Sequence, residues 1–199
     1  SPSMGITAIE YLSDPARMLD LRNGGLGIYG CIAGGLFGIG IYTRRNKIPF
    51  FGWADLAVIG VALGQVFGRW GNFFNQELYG KPTTLPWAVT IDFPLPEFAQ
   101  YSTFHPAFLY ESLWNLLAFA ILYTLNKRYS NRLLTGDLLA LYLILYAIGR
   151  TLLETTRLDS NMVAIGNMEL NMAMATLLSI TIAILMAIWR IIAHRQRKN

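Results

Sequence analysis

The sequence predicts an all-α integral membrane protein, a polytopic helical bundle with about five spans. Of the 199 residues, 54% are hydrophobic and only 14% are charged, whereas a soluble domain carries about 25% charged residues. The apolar residues form long segments, and the basic residues lie in short runs between them. We therefore assign the net charge of +4 to cytoplasmic loops, and we expect no nucleic acid partner.

Five apolar segments follow a polar N-terminal arm, residues 1–25, which is expected to lie at the membrane interface. The predicted spans are residues 26–43, 53–67, 107–125, 138–154 and 168–192, within a bundle of residues 26–192. The first span contains six glycines, some at the small-xxx-small spacing that lets helices approach closely in lipid. Residues 81–104 hold four of the eight prolines, which predicts a small outer-side head of irregular structure or short strands.

Three basic clusters set the expected orientation. Residues 44–47, 127–132 and 190–198 are separated by pairs of spans, so all three fall on one side of the membrane. The positive-inside rule makes that side cytoplasmic and gives a cytoplasmic basic tail at residues 193–199. Cys31 is the only cysteine, which excludes an intrachain disulfide and a cysteine metal cluster in this chain. The two histidines are far apart in sequence, and we expect no metal site.

Polar residues follow the second apolar segment directly, in residues 68–80. An ionisable side chain in hydrocarbon costs about 2.5 kcal/mol or more unless it is paired or faces a cavity. Arg69 and Glu77 therefore indicate a site. A continued helix would place Arg69, Asn72 and Gln76 on one face. The alternative is an arginine that snorkels to the headgroups.

A second polar group lies in the fourth span. Arg150, Glu154 and Arg157 recur at helical spacing, with Tyr146 one turn earlier on the same face. These charges either neutralise one another or belong to a site. The predicted topology puts Arg69 and Arg150 near the outer leaflet on different helices, where two guanidiniums would form a clamp for an anion such as a lipid phosphate.

Three further residues are candidates for the site. One is expected to support an arginine, and each of the other two has a functional and a structural interpretation. Glu111, one turn inside the third span, is expected to orient an arginine. His105 is either a base or a structural residue at the start of that helix. Tyr29, between two glycines of the first span, is a core aromatic unless it faces the cleft.

Four blocks of sequence resemble, in the same order, the motifs of bacterial prolipoprotein diacylglyceryl transferases. They are NGGLGIYG at residues 23–30, GRWGNFFNQELYG at 68–80 with Leu85-Pro86-Trp87 after it, HPAFLYE at 105–111, and Gly149-Arg150 with Glu154, Arg157 and Asp159. The resemblance covers roughly residues 20–160. It implies an enzyme of the bacterial cytoplasmic (inner) membrane, multi-pass with a cytoplasmic C-terminus.

The implied reaction transfers the diacylglyceryl group of phosphatidylglycerol to the lipobox cysteine thiol of a prolipoprotein signal peptide. It forms a thioether and releases glycerol phosphate, and it requires no cofactor. The resemblance implies catalytic roles for Arg69, Asn72, Glu77, Arg150, Glu154 and Tyr29. It implies substrate binding by Arg69, Gly80, His105, Tyr110, Glu111, Arg150 and Arg157.

The sequence departs from the family pattern in three respects, one of which is a fifth span that matches the family's ending only loosely. Many members carry a histidine, proposed as the base, where this chain has Tyr29. The first spans of the family have no counterpart, which predicts a fragment of a seven-span protein. Glu77 and Glu154 either orient the arginines or accept the thiol proton. Two other functions remain open, a non-enzymatic module that binds or transports phospholipid and an enzyme that exchanges phospholipid headgroups.

Overall fold

The computed structural model describes residues 28–154, 156, 158, 162–165 and 168–198. The predicted arm, residues 1–25, lies outside this part. The described chain is mostly helical, as predicted, with α1 (Ile28–Asn46), α2 (Phe50–Phe74), α3 (Ala107–Tyr129), α4 (Asp137–Glu154) and α5 (Met174–Lys198). Two of these helices, α2 and α3, are long and apolar enough to cross a membrane.

Two small antiparallel sheets accompany the helices. In the predicted head, β1 (Val89–Thr90) pairs with β2 (Thr103–Phe104), and a short 3₁₀ helix, Pro96–Phe98, lies between them. After α4, β3 (Met162–Ile165) pairs with β4 (Met168–Ala173). β4 occupies the start of the segment predicted as the fifth span. The alternation of apolar and polar residues in MELNMA favours a strand over a helix, which explains the difference.

The first basic cluster, residues 44–47, forms the end of α1. Arg44 and Arg45 lie in the last turn, where positive charge offsets the partial negative charge of the helix C-terminus. Lys47 adopts a left-handed backbone with φ of 53°, and the Ile48 N–H donates to the Thr43 carbonyl over 3.0 Å. This is the Schellman pattern that ends many helices.

Helices α2, α3 and α4 meet in one apolar core. Its buried members are Val58, Ile59, Ala62, Leu122 and Leu138. Outside this core, many large apolar side chains point outward, and Phe67 of α2 and Leu152 of α4 are 69% and 59% exposed. Extensive exposed apolar surface marks a region that contacts another apolar phase or partner. The pattern agrees with helices that face lipid.

One end of the bundle is held by carboxylates. Asp55 of α2 accepts hydrogen bonds from the backbone N–H groups of Gly136 (2.6 Å) and Leu139 (2.8 Å), and so caps α4 from a neighbouring helix. Asp137, the first residue of α4, accepts from Arg190 Nε of α5 over 2.7 Å and lies 2.9 Å from His194 Nε2. The starts of α2 and α4 and the end of α5 therefore share one end of the bundle.

Asp55→Ala is expected to lower the free energy of unfolding of the full-length protein by about 2 kcal/mol, because it leaves two partly buried backbone N–H groups without their acceptor. Unfolding with sodium dodecyl sulfate in mixed micelles measures this loss. Glu97→Ala is a matched control, because Glu97 is exposed on the head and should change stability by less than about 0.5 kcal/mol. Equal unfolding midpoints for the two variants would show that the cap contributes nothing.

Candidate active site

A small polar cavity lies among α2, α3 and α4. Its volume is about 30 Å³, and its lining consists of Arg69, Glu111, Trp114, Asn115, Tyr146, Gly149, Arg150 and Leu153. Arg69 comes from α2 and Arg150 from α4, so two guanidiniums on different helices face one space. A cavity of this size holds about one water molecule. A phosphate group is larger than this space, so it would bind at the mouth of the cavity or widen it.

Arg69 is held by a carboxylate of the next helix. Its Nε lies 2.6 Å from Glu111 Oε2, and the two side chains are 25% and 11% exposed. At such partial burial a charge-assisted hydrogen bond of this length strongly restricts the guanidinium. Glu111 thus makes the contact with an arginine that the sequence suggested.

The guanidinium of Arg150 is held less firmly than that of Arg69. Its Nε lies 3.6 Å from Glu154 Oε2 one turn later, which makes an ion pair but is too long for a hydrogen bond. This Nε is buried and has no hydrogen-bond partner among the described residues. A buried cationic N–H group without an acceptor is unfavourable, so Arg150 is less well satisfied than Arg69 in this structure.

Gly149 allows α3 and α4 to approach closely beside Arg150. A Cβ at this position would overlap the indole ring of Trp114, whose Nε1 donates to the Leu145 carbonyl over 2.9 Å. On the other side of α3, Ser112 Oγ donates to the Val66 carbonyl over 3.0 Å. The first contact joins α3 to α4 and the second joins α3 to α2, each within two helical turns of Arg150 or Arg69.

The end of α2 forms a polar turn. The helix ends at Phe74, and Gln76 and Leu78 adopt left-handed backbones with φ of 51° and 53°. The predicted shared helical face therefore includes Arg69 and Asn72, which lie within α2, but not Gln76. Left-handed non-glycine residues cost about 1 kcal/mol each, and such strain concentrates at functional sites.

Glu77 lies between these two strained residues. Its Oε1 accepts hydrogen bonds from the side-chain amides of Asn72 (3.0 Å) and Asn75 (3.2 Å). The turn thus directs Glu77 back onto the last turn of α2. Glu77 does not line the polar cavity, and the carboxylate bonded to Arg69 is Glu111.

A second hydrogen-bonded group joins the head to the start of α3. Trp87 Nε1 donates to the Tyr110 hydroxyl over 2.8 Å, and the same hydroxyl lies 3.1 Å from His105 Nδ1. Because an indole N–H can only donate, Tyr110 accepts from Trp87, and the tautomer of His105 decides which of the two partners donates in the contact between Tyr110 and His105. His105 and Tyr110 therefore fix each other at the head and do not line the polar cavity.

Gly80 connects this group with the end of α4. Its N–H donates to the His105 carbonyl over 2.9 Å, and the Lys81 N–H donates to the Thr156 carbonyl over 2.8 Å. A Cβ on Gly80 would lie 2.7 Å from both the His105 Cβ and the Thr156 oxygen. Close backbone approach explains the glycine at this position.

Gly80→Ala is expected to lower the free energy of unfolding by about 1–3 kcal/mol, since the added methyl group overpacks the junction of head and helix. Thermal unfolding of the full-length protein in micelles measures this loss of stability. The control is Thr84→Ala, an exposed head position at which the change should stay within about 0.5 kcal/mol. If Gly80→Ala were as stable as this control, the junction would accommodate the methyl group without a loss of folding free energy, which would contradict the prediction.

The structure thus brings some predicted residues together and separates others. Arg69, Glu111 and Arg150 share the polar cavity, and Glu154 lies beside Arg150. Arg157 and the side chain of Tyr29 lie outside the described residues. Trp114, Asn115 and Gly149 also line the polar cavity, and none of them was predicted as a site residue. The spacing of Glu111 and Asn115, one helical turn apart in an apolar span, was a signal for Asn115.

Comparison with known proteins places the chain in a family. The sequence profile of the family described as prolipoprotein diacylglyceryl transferase matches residues 6–192. The chain belongs to this family. Prolipoprotein diacylglyceryl transferases are bacterial membrane enzymes, and the apolar helices described above agree with that character.

Three relatives carry the name phosphatidylglycerol–prolipoprotein diacylglyceryl transferase. The protein of Frankia alni is 50% identical over 145 residues, which cover 73% of this chain and 38% of the relative. That of Trichormus variabilis is 43% identical over 158 residues, covering 77% and 56%. That of Chloroflexus aggregans is 39% identical over 205 residues, covering 94% and 67%. The chain thus spans between about two fifths and two thirds of the length of these family members.

Proposed function

We propose that the protein, in its full-length form, transfers the diacylglyceryl group of phosphatidylglycerol to the cysteine thiol of a prolipoprotein signal peptide. The observation that carries this proposal is the polar cavity, which Arg69 and Arg150 line from different helices. The names of the relatives supply the two substrates. The lipobox cysteine as the acceptor, and the roles of individual residues, belong to the proposal.

The reaction needs a cationic site for its leaving group. The cysteine sulfur forms a bond to the glycerol carbon that carries the phosphate ester, and the bond from that carbon to the phosphate oxygen breaks. Glycerol phosphate leaves with the electron pair and gains one negative charge, while the thiol proton passes to a carboxylate. Two preorganised guanidiniums stabilise charge where it develops, which lowers the barrier of such steps substantially.

In this proposal each arginine has a carboxylate beside it for a different purpose. Glu111 restricts Arg69 before the lipid arrives, because its hydrogen bond is short. Arg150 is held less tightly, because Glu154 is too distant to accept a hydrogen bond from its Nε, and its guanidinium is proposed to turn toward the phosphate. Binding of the phosphate then separates the lining side chains and enlarges the polar cavity.

The helices are proposed to form a multi-pass bundle in the bacterial inner membrane. The two candidate spans, α2 and α3, support it directly, and α1, α4 and α5 supply the other three of the five proposed spans. The carboxylate-capped end carries Arg190 and His194, which agrees with a cytoplasmic C-terminus under the positive-inside rule. Arg69 and Arg150 then lie toward the outer leaflet.

The test uses the full-length protein in membranes that contain phosphatidylglycerol, together with a synthetic lipobox peptide. Mass spectrometry should show the peptide gaining one diacylglyceryl unit, and replacing the peptide cysteine by serine should abolish the gain. Lipid binding with an unmodified peptide would instead indicate a binding or transport module. A new phospholipid with an unmodified peptide would indicate headgroup exchange.

A further inference from the structure

The head carries an exposed phenylalanine on a rigid tip, residues 92–95. Phe93 is 91% exposed, the largest value among the exposed large apolar side chains, and Leu95 in the same tip is 51% exposed. An aromatic side chain so exposed would usually turn inward if its loop were free to do so, since burial is favourable. The reason that it does not turn lies in the hydrogen bonds of the tip.

Three hydrogen bonds fix the tip to the turn after α2. Gln76 Nε2 donates to Asp92 Oδ2 over 2.7 Å, and the Asp92 N–H donates back to Gln76 Oε1 over 2.8 Å. The Leu95 N–H donates to the Tyr79 hydroxyl over 2.8 Å. The backbone is thus held on both sides of Phe93. Its exposure is therefore built into the fold.

The attachment at Gln76 sets the depth of the tip. Helix α2 has 25 residues, so its length is about 37 Å, while the hydrocarbon core of a bilayer is about 30 Å thick. If α2 crosses the membrane, its outer end extends a few ångströms past the hydrocarbon. Gln76 comes two residues after that end, which puts the tip at the level of the lipid headgroups.

We propose that this tip inserts Phe93 into the outer leaflet at its headgroup boundary, with membrane lipid as its partner. Phe, like Trp and Leu, is a residue with which proteins bury apolar surface at the boundary of headgroups and acyl chains. Phe93 protrudes, and residues 92–95 line neither the polar cavity nor the apolar cavity between α4 and α5. Lipid accepts a protruding side chain without a preformed pocket, whereas a docked peptide needs a groove with pockets for its own side chains.

The inserted tip would hold the head, and with it the junction of Gly80 with His105, at a fixed depth. The proposal rests on α2 as a membrane span and not on the transfer chemistry. Failure of the inserted tip and failure of the proposed transfer reaction can therefore be told apart, since lipid contact can be measured without the peptide substrate.

The test places a fluorescent reporter next to Phe93 and leaves that residue native. Full-length protein with Leu95→Cys, and with every other cysteine replaced, is labelled with nitrobenzoxadiazole in nanodiscs of phosphatidylglycerol and phosphatidylcholine. Phosphatidylcholine with a nitroxide near its headgroup should quench the reporter, and aqueous iodide should not. Phe93→Leu should preserve this pattern, while Phe93→Asp should cause loss of lipid quenching and gain of iodide quenching.

A second reporter at Phe67→Cys, an exposed position within α2, tests the span itself. Lipid quenching at residue 67 with iodide quenching at residue 95 would overturn the inserted tip and preserve the span. Iodide quenching at both positions would remove the span and the tip together. Unchanged lipid quenching in Phe93→Asp would also overturn the proposal, as would photocrosslinking of position 93 to the lipobox peptide in place of lipid.

Discussion

Replacing Arg69 or Arg150 by lysine in the full-length protein is expected to lower the rate of diacylglyceryl transfer by about 100-fold or more. Lysine keeps the positive charge but loses the planar fork that binds two phosphate oxygens at once. Each arginine is proposed to meet the charge that develops on the leaving phosphate, so the loss should appear in kcat as well as in kcat/KM. Transfer to a lipobox peptide, followed by mass spectrometry, measures both parameters.

The matched control is Arg128→Lys. Arg128 is exposed in the last turn of α3, at the end of the helix that leads to the start of α4, far from Arg150. Its replacement should leave transfer unchanged. A second comparison is the double variant of Arg69 and Arg150. If both groups act on one phosphate, their effects should be strongly non-additive. Normal rates in either single variant would remove the phosphate clamp from the mechanism.

Gly149→Ala is expected to cause the next largest loss of activity. The new methyl group would overlap the indole of Trp114, so α3 and α4 must separate at the residue before Arg150. Overpacking of this kind destabilises by about 1–3 kcal/mol, and a displacement of about 1 Å at a catalytic group can lower a rate 100-fold. Parallel measurement of unfolding and of transfer separates the two effects.

Thr151→Ala is the control for Gly149→Ala. Thr151 lies on α4 within one turn of Gly149, is exposed, and donates its hydroxyl hydrogen to the Ala147 carbonyl within the same helix. Its loss should change stability by less than about 0.5 kcal/mol and leave transfer intact. If Gly149→Ala matched this control in stability and in rate, close approach of α3 to α4 would not matter for the site.

The helices could be predicted because their residues carry a local signal. The apolar runs of α2 and α3 are continuous. The sequence predicted loops for the basic residues after the first and third spans, whereas they form the last turns of α1 and α3, where positive charge suits the helix C-terminus. The end of α2 was less predictable, since Arg69 and Asn72 stay helical while Gln76 turns away to bond Asp92. β4 was missed because a hydrophobicity average over residues 168–192 hides the alternation at its start.

The polar cavity was predictable in part. Arg69 and Arg150 stood out because charge in an apolar segment requires a partner, and the orientation of the spans brought them to one end. The contribution of Trp114 and Gly149 depends on how closely two helices pack, and no local pattern encodes that distance. The same holds for Asp55, whose role is to cap a helix that starts about 80 residues later in the chain.

The hydrogen bonds of the head were also beyond sequence reasoning. His105 and Tyr110 lie in one stretch and Trp87 in another, and the pairing of β1 with β2 helps to bring the two stretches together. His105 had a catalytic and a structural interpretation. Its place beside Tyr110, outside the polar cavity, favours the structural interpretation, although its role stays a prediction.

The most direct test of the proposed clamp is an experimental structure of the full-length protein with phosphatidylglycerol bound. We expect the phosphate to lie between α2 and α4, with its oxygens within about 3 Å of the guanidiniums of both Arg69 and Arg150. The polar cavity should be wider than in the lipid-free protein. A phosphate that contacts only one of the two arginines, or that lies outside the space they share, would contradict the mechanism.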